Sequence, residues 1–212
     1  MRMTLRINCL YAAFFLAMLT LLSAAQAQAQ TDIAGSIYGA FTGTTNGDGT
    51  TQSPSNSAGV LFEVRHIANP ILGFEGTYSY NRADQTYQCY GIGCPVTAVP
   101  SGSLPHVTVP ANAHEITADW TPSIHIANFR PFGVLGVGLL LNEPSGGTDT
   151  QSQTKPVYVY GAGLDWGLLP HIGLRLQYRG NLYHAPDLTT LYSSTNSFTH
   201  TAEPMVGVYF RL

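Results

Sequence analysis

Cysteine can form disulfides and, like histidine, can bind zinc, and two of the three cysteines in this sequence lie close together. Cys89 and Cys94 enclose the stretch Cys-Tyr-Gly-Ile-Gly-Cys. In an oxidising compartment, such a pair forms a disulfide. The alternative is half of a metal site, which needs further ligands, and only His106 and His114 follow nearby. We therefore predict a Cys89–Cys94 disulfide and neither a metal nor a cofactor.

Charged residues are scarce, and many of them alternate with apolar residues. Asp, Glu, Lys and Arg make up 10% of the 212 residues, against about 25% in typical soluble domains. In extended strands, alternating residues project to opposite faces. Ten charged residues then share the face opposite the apolar side chains: Glu63, Arg65, Glu75, Glu115, Asp119, Asp165, Arg175, Arg179, Glu203 and Arg211. This pattern predicts a network of ion pairs rather than a catalytic centre.

The elements that position these charges are eight predicted strands, each with apolar residues at every second position. They cover residues 33–42, 58–67, 71–81, 113–122, 130–141, 157–168 and 172–182, and a last segment that runs to residue 212. The connections alternate between long polar segments (43–57, 82–112, 142–156, 183–199) and short ones (68–70, 123–129, 169–171). Short turns at one end and long loops at the other are typical of bacterial outer-membrane barrels.

Aromatic residues on the apolar face fall into two groups. Those near the long-loop end are Phe41, Tyr78, Tyr80, Tyr158 and Tyr160, and those near the short-turn end are Trp120, Trp166 and Phe210. Two aromatic belts around an aliphatic band are what a lipid interface selects. A soluble β-sandwich has a similar composition but no reason to sort its aromatic residues in this way. The pattern therefore favours an all-β, eight-stranded antiparallel up-and-down transmembrane barrel.

The first 29 residues have the features of a cleaved signal peptide. Arg2 and Arg6 precede an apolar run over residues 10–22, and Ala-Gln-Ala occurs at 25–27 and 27–29, which fits the cleavage pattern. The alternative is an uncleaved anchor, but the run is short and cleavage sites follow it. We predict a signal peptide at 1–29 and a barrel at 30–212. Export also places the two cysteines in an oxidising compartment.

At this level the chain resembles the small outer-membrane barrels of the OmpA, OmpX, OmpW and opacity-protein type. The similarity rests on the alternating segments, the glycine-rich runs at 132–138 and 160–166, and the ending at 206–212. That ending resembles the signal read by the barrel-assembly machinery, although it closes on Leu212 where relatives have Phe or Trp, so that Phe210 is expected to take that role. The resemblance implies a monomer in the outer membrane, with lipid and lipopolysaccharide as its surroundings.

The resemblance leaves several functions open, because this fold hosts adhesins, narrow pores, structural proteins and enzymes. Lipid A-modifying barrels need a histidine paired with a nucleophile. The run from Arg65 to Asn69 resembles the deacylase motif His-x-Ser-Asn, but Ala68 stands where the serine should be. His114, His184 and His200 lie toward the loop end. Metal binding is one interpretation of this group, and a role at the membrane interface, where histidines are common, is the favoured one. We predict no enzyme and no catalytic residue.

A channel is the second alternative. Eight strands enclose an interior that side chains just fill, and the charged residues would plug most of it. Gly136, Gly138, Gly161 and Gly163 leave some room, so a narrow path for water or small ions stays open as the runner-up. The sequence is not basic, which argues against nucleic acid as a partner. We predict a structural or surface-interaction barrel whose loops contact the environment.

The turns predict the pairing of the lumen charges. A symmetric hairpin around Pro170 sets Asp165 directly opposite Arg175, and direct cross-strand partners are close enough to form an ion pair. A hairpin centred on Asn69 sets Glu63 opposite Glu75, with Arg65 diagonal to Glu75. We therefore expect a ladder of ion pairs that closes the lumen and fixes the register, because a one-residue slip would turn the charges into lipid.

Overall fold

The computed structural model describes residues 29–90, 106–147 and 149–212, and ten strands run through them. The strands are β1 (Gln30–Thr42), β2 (Thr45–Gly47), β3 (Thr50–Pro54), β4 (Ser57–Ile67), β5 (Gly73–Cys89), β6 (His106–Trp120), β7 (Phe129–Pro144), β8 (Gln153–Gly167), β9 (Ile172–His184) and β10 (Phe198–Arg211). The predicted signal peptide lies almost wholly outside these residues, as does Cys94, so both stay predictions. Within the described ranges there is no helix long and apolar enough to cross a membrane.

Eight of the strands form a closed antiparallel barrel. Each strand from β4 to β9 pairs with the next one along the chain, and β1 pairs with both β4 and β10, which closes the ring. β2 and β3 form a separate hairpin that adds to the upper part of β5. Both ends of the barrel chain lie at the short-turn end, as the even strand number requires. The predicted fold is confirmed.

The period of two in the sequence becomes an outer apolar face and an inner polar face. In β4, Val60, Phe62 and Val64 are exposed to the surroundings, whereas Glu63 and Arg65 are fully buried. Outward aromatic side chains occur at both ends of the barrel wall: Phe41, Tyr78, Tyr158 and Tyr160 near the loops, and Phe74, Trp120, Phe129, Trp166 and Phe210 near the turns. Among the described residues, no Asp, Glu, Lys or Arg faces outward between these belts.

Two strands extend much further than their sequence pattern indicates. β5 continues to Cys89 and β6 begins at His106, and they stay paired up to Gln88–His106. The predicted ends, at 81 and 113, were therefore wrong, as was the prediction of one loop over 82–112. Above the membrane the outer face no longer needs apolar residues, so the alternation fades while the backbone pairing continues. The barrel wall formed by β5 and β6 therefore extends further at the loop end than the rest of the wall, and we call it the raised β5–β6 wall.

The strand register of each hairpin determines which charged residues lie opposite each other. In the β8–β9 hairpin Asp165 lies opposite Arg175, as predicted. In the β4–β5 hairpin Arg65 lies opposite Glu75, and Glu63 lies opposite Thr77, so the predicted Glu63–Glu75 pairing is wrong. The turn spans residues 68–72, and Asn69 Oδ1 accepts the backbone N–H groups of Ile71 and Leu72 at 3.0 and 2.9 Å. This side-chain cap moves the centre of the turn from Asn69 to Pro70.

Candidate functional site: the barrel lumen and its extracellular mouth

Eleven buried charged side chains fill the barrel at membrane depth, and we call them the charge network. They are Asp32, Glu63, Arg65, Glu75, Glu115, Asp119, Arg130, Asp165, Arg175, Arg179 and Glu203, each at most 5% exposed. Nine of them were predicted to face the lumen. The tenth predicted residue, Arg211, lies at the periplasmic end with its side chain 28% exposed, and its Nε is 3.9 Å from Asp32 Oδ1.

Asp32 and Arg130 were not among the residues predicted to face the lumen. Asp32 precedes the predicted start of the first strand, and Arg130 stands at the first position of the predicted fifth strand. Both side chains project inward because they lie an even number of positions from inward-facing neighbours. Asp32 lies on the same face of its strand as Ser36, and Arg130 lies on the same face as Phe132. Extending the first strand by one residue would have found Asp32, and applying the alternation to the first position of the fifth strand would have found Arg130.

Asp165 is the centre of the periplasmic half of the network. Arg175 donates to both of its oxygens, from Nε to Oδ1 at 2.6 Å and from Nη2 to Oδ2 at 2.9 Å. Arg130 donates to Oδ2 from Nε at 3.1 Å and from Nη2 at 2.8 Å, and it also pairs with Asp32. Paired N–H groups on one carboxylate fix both the distance and the plane of the guanidinium.

Arg65 joins this half to the next. It donates to Glu75 Oε2 from Nε at 2.8 Å and from Nη2 at 2.6 Å, and its Nη1 reaches Asp165 Oδ2 at 3.4 Å. Glu63 lies between Arg65 and Arg175 and forms ion pairs with both. The network therefore crosses the lumen from the β4–β5 wall to the β8–β9 wall.

Arg179 organises the extracellular half. Its Nη1 donates to Asp119 Oδ2 at 3.0 Å and to Glu75 Oε1 at 3.3 Å, and its Nη2 donates to Thr117 Oγ1 at 3.1 Å. Glu115 Oε1 is further away, 3.9 Å from Nη2. One guanidinium thus faces three carboxylates, and only two of them lie within hydrogen-bonding distance.

Two aromatic rings pack among the guanidinium groups. The Phe132 centroid lies 3.9 Å from Arg65 Cζ and 5.2 Å from Arg175 Cζ, within the range of cation–π attraction. Tyr209 lies 5.5 and 5.8 Å from the Cζ atoms of Arg175 and Arg130. These rings fill space that the charged groups leave, so the network is packed as well as paired.

Glycines of the lumen make room for neighbouring side chains, whereas their sequence positions suggested room for a narrow path. A Cβ at Gly136 would collide with the Asp119 carboxylate, and one at Gly163 would collide with the Phe132 ring. Glycine here makes space for a neighbour that occupies it. Arg65 and Arg179 are 0% exposed, so a water-sized particle does not reach them along the lumen.

A second closure lies at the extracellular mouth, where residues 185–197 fold over the raised β5–β6 wall. We call this segment the loop cap. Leu188 is 0% exposed and packs with Tyr87, Val109 and Ala111. Tyr87 Oη donates to Pro186 O at 2.7 Å and accepts from Leu188 N at 3.0 Å. This closure uses apolar contacts and neutral hydrogen bonds, with no ion pair among the contacts named here.

The histidines near the loops belong to the outer aromatic belt. His114 Nδ1 hydrogen-bonds Tyr78 Oη at 2.8 Å, and His200 Nε2 hydrogen-bonds Tyr160 Oη at 2.9 Å. His184 lies against Phe198, with ring centroids 3.9 Å apart. In the described ranges, no three His, Cys, Asp or Glu side chains converge as a metal-binding group.

His66 and Cys89, the remaining residues with reactive side chains, lie at opposite ends of the barrel. His66 Nδ1 is 3.0 Å from Thr31 Oγ1 at the exposed periplasmic rim, and the nearby Ala68 supplies no hydroxyl. Cys89 ends β5, is buried and is disulfide-bonded. Because Cys94 lies outside the described residues, the identity of the bonded partner stays a prediction.

Comparisons with known proteins agree with this architecture. The family model described as "Outer membrane protein beta-barrel domain" matches residues 14–210. Neisserial surface protein A is 15% identical with a TM-score of 0.55, covering 85% of this chain and 96% of its own. OprG from Pseudomonas aeruginosa is 10% identical with a TM-score of 0.56, covering 87% and 96%. Ail of Yersinia pestis, solved with the heparin analogue sucrose octasulfate, is 16% identical with a TM-score of 0.52, covering 87% and 99%.

At these identities the structural likeness concerns the fold. No curated protein sequence matches the chain.

Proposed function

The chain belongs to the outer-membrane protein β-barrel family, and from that premise we propose that it is a closed barrel with a structural or surface-interaction role. The observation that carries this proposal is the buried charge network, whose central guanidinium groups of Arg65 and Arg179 are 0% exposed. A diffusion pore needs a continuous column of water, and such a column would leave lining side chains accessible. The working surface is then the extracellular loops, with outer-membrane lipid and lipopolysaccharide around the barrel.

A narrow channel for water or small ions is the second candidate. Lumen charges favour it, because they line the pores of many channels. The bidentate Arg175–Asp165 and Arg65–Glu75 pairs oppose it, because opening a path would separate groups that hold each other at 2.6–2.9 Å. Without water, such a separation is costly. The loop cap would also have to move.

An enzymatic role has less support. Ester chemistry needs a nucleophile, a histidine and an acidic group in contact. The side-chain hydrogen bond of His66 is to a threonine hydroxyl at an exposed rim. The carboxylates of the lumen are engaged by guanidinium groups or enclosed below the cap. We propose that the protein acts through binding or through its place in the membrane rather than through catalysis.

The charges of the extracellular loops restrict the kind of partner that these loops could bind. The segments beyond the membrane carry Asp48, Asp84, Glu143, Asp149 and Asp187, but only Arg82 and Lys155 as cations. A polyanion such as the heparin analogue bound by Ail needs a basic surface, which this chain lacks. We propose a neutral or mildly basic partner, recognised by the hydroxyl and amide groups that dominate the loops.

Two assays, one with refolded protein and one in cells, test the proposal. In liposomes, the refolded protein should raise neither the water permeability nor the K⁺ permeability above that of protein-free liposomes; clearly higher permeability would favour the channel. In cells, shortening residues 185–197 should reduce attachment and aggregation if the loops bind a partner. If only complete removal of the protein changes the detergent sensitivity of the envelope, the role is structural.

A further inference from the structure

A small polar chamber separates the charge network from the loop cap. It lies inside the barrel and is lined by residues of β1, β5, β6, β7, β9 and β10. Polar side chains make up much of the lining, among them Ser79, Asn81, Asn142 and Thr201. The chamber offers about 30 Å³ to the centre of a water-sized particle. Since one water needs about 10–15 Å³ by this measure, the chamber holds one or two waters or a single small ion, and nothing as large as a sugar.

Three oxygen atoms from this chamber have no hydrogen-bond partner although their side chains are buried. They are Glu115 Oε1, Glu203 Oε2 and Asn181 Oδ1, on residues that are 3%, 5% and 1% exposed. Buried polar atoms are normally satisfied, and leaving a carboxylate oxygen unpaired costs more than leaving a neutral group unpaired. The three atoms come from three different strands, β6, β10 and β9.

The protein positions these groups by direct contacts. Asn181 Nδ2 donates to Glu115 Oε2 at 2.9 Å, which links β9 to β6 across the lumen. That bond uses the amide nitrogen of Asn181 and leaves its carbonyl oxygen available. The guanidinium of Arg179 is committed to Asp119 and Glu75, and it reaches Glu115 only at 3.9 Å. The chamber therefore has a preformed set of oxygen acceptors, whose negative charge the one unpartnered donor of its lining, the neutral amide Asn142 Nδ2, does not balance.

The charge balance of the lumen also indicates excess negative charge at Glu115 and Glu203. The charge network contains seven carboxylates and four guanidinium groups, and the half-buried Arg211 adds a fifth near Asp32. With every carboxylate ionised, two negative charges are left without a partner. Glu63 forms ion pairs with Arg65 and Arg175, whereas Glu115 reaches an arginine only at 3.9 Å. Glu203 forms no ion pair with an arginine among the residues that the structure describes.

We propose that this chamber binds one Ca²⁺ ion, with Glu115, Glu203 and Asn181 as its first ligands, other oxygen atoms of the polar lining close by, and room for at most one water beside the ion. A hard divalent cation prefers carboxylate and amide oxygens, and Ca²⁺ tolerates irregular arrangements with 6–8 oxygen ligands. Two carboxylates and one amide are fewer protein ligands than a dedicated site supplies, and no larger acidic or histidine group converges in the described ranges. The ion would join β6 to β9 and β10 from inside and stiffen the upper barrel. The inference does not depend on the role proposed for the loops.

Terbium luminescence tests the site in the mature protein, refolded in detergent free of lipopolysaccharide. Tyr183 lines the chamber and can transfer excitation energy to bound Tb³⁺. We expect saturable, tyrosine-sensitised Tb³⁺ emission with one ion per barrel, displaced by Ca²⁺, and a higher midpoint of thermal unfolding in Ca²⁺ than in a chelator. No protein-dependent emission, or no Ca²⁺ effect on the midpoint, would overturn the proposal.

Matched glutamate variants locate the ion. Glu203→Gln keeps the shape of the side chain and removes its charge, and it should weaken Tb³⁺ binding at least tenfold. Glu143→Gln makes the same change next to Asn142 but on the exposed outer side, and it should bind like the parent. Equal affinity in both variants would place any bound ion elsewhere. If Glu203→Gln fails to show the gel shift of a folded barrel, Glu115→Gln takes its place in the same comparison.

Discussion

The lumen and the extracellular mouth are both closed, but by different physical means. At membrane depth the charge network holds opposite walls together through ion pairs such as Arg175–Asp165. At the mouth, Leu188 and Tyr87 close the barrel with apolar packing and neutral hydrogen bonds. The charged closure joins residues on the barrel strands themselves, whereas the neutral closure depends on a loop. The lower closure therefore fixes the register and the upper one can move separately.

The largest expected effect comes from breaking the lower closure. Arg175→Ala removes the bidentate partner of Asp165 and one partner of Glu63. Because a buried carboxylate is left poorly compensated, the free energy of unfolding should fall by about 3–5 kcal/mol. Urea unfolding of the refolded barrel, followed by tryptophan fluorescence and gel shift, measures it. The exposed Arg82→Ala is the control, and equal stability of the two variants would show that the network is not a structural element.

A substitution in the upper closure should destabilise the loop cap and not the whole barrel. Leu188→Ala empties a fully buried site, a change that costs about 2–5 kcal/mol in protein cores. Here that cost should weaken the docking of residues 185–197 onto the barrel. Hydrogen exchange should speed up in that segment while the barrel strands keep their protection. Leu191→Ala, at a position 40% exposed, serves as the control. Loss of protection throughout the barrel would mean that the two closures are coupled.

The disulfide at Cys89 should have a smaller effect. With Cys94 as the predicted partner the closed ring is short, so its contribution to global stability is modest. Peptide mass mapping of protein purified without reductant should recover Cys89 and Cys94 in one cross-linked fragment. Finding Cys94 as a free thiol would refute the pairing. Cys89→Ser should mainly increase protease cleavage between β5 and β6.

The smallest effect concerns the pH dependence of the loop cap. Burial raises the pKa of Asp187 above its ordinary value, and Lys155 offsets this only in part. The docked state therefore favours the neutral acid: its contribution to docking is present below the ordinary pKa of an aspartate and is lost as the pH rises through the raised pKa. Protection factors of residues 185–197 should accordingly fall from mildly acidic to neutral pH. Asp187→Asn should remove this dependence, and a dependence that persists in the variant would assign it to another group.

The two regions also differ in how far the sequence predicted them. At membrane depth, lipid outside and a packed lumen inside impose strict alternation, so the eight strands and nine of the eleven network residues could be read directly. The Glu63–Glu75 pairing failed because the Asn69 cap shifts the turn by one residue, and the hydrophobic pattern carries no information about that. Above the membrane both faces meet polar surroundings. The extensions of β5 and β6, the β2–β3 hairpin and the Leu188 contact then depend on long-range packing that leaves no periodic signal.

Single-channel recording in planar bilayers tests the central claim, that two independent closures seal this barrel. The refolded parent protein should show no discrete conductance at moderate voltage, and neither should Leu188→Ala, because the charge network still blocks the lumen. Arg175→Ala combined with Leu188→Ala should produce channel events. If the double variant does not fold, Arg175→Ala alone should show a lower free energy of unfolding in the urea assay. A steady conductance from the parent protein would contradict the account and assign the barrel to the narrow channels.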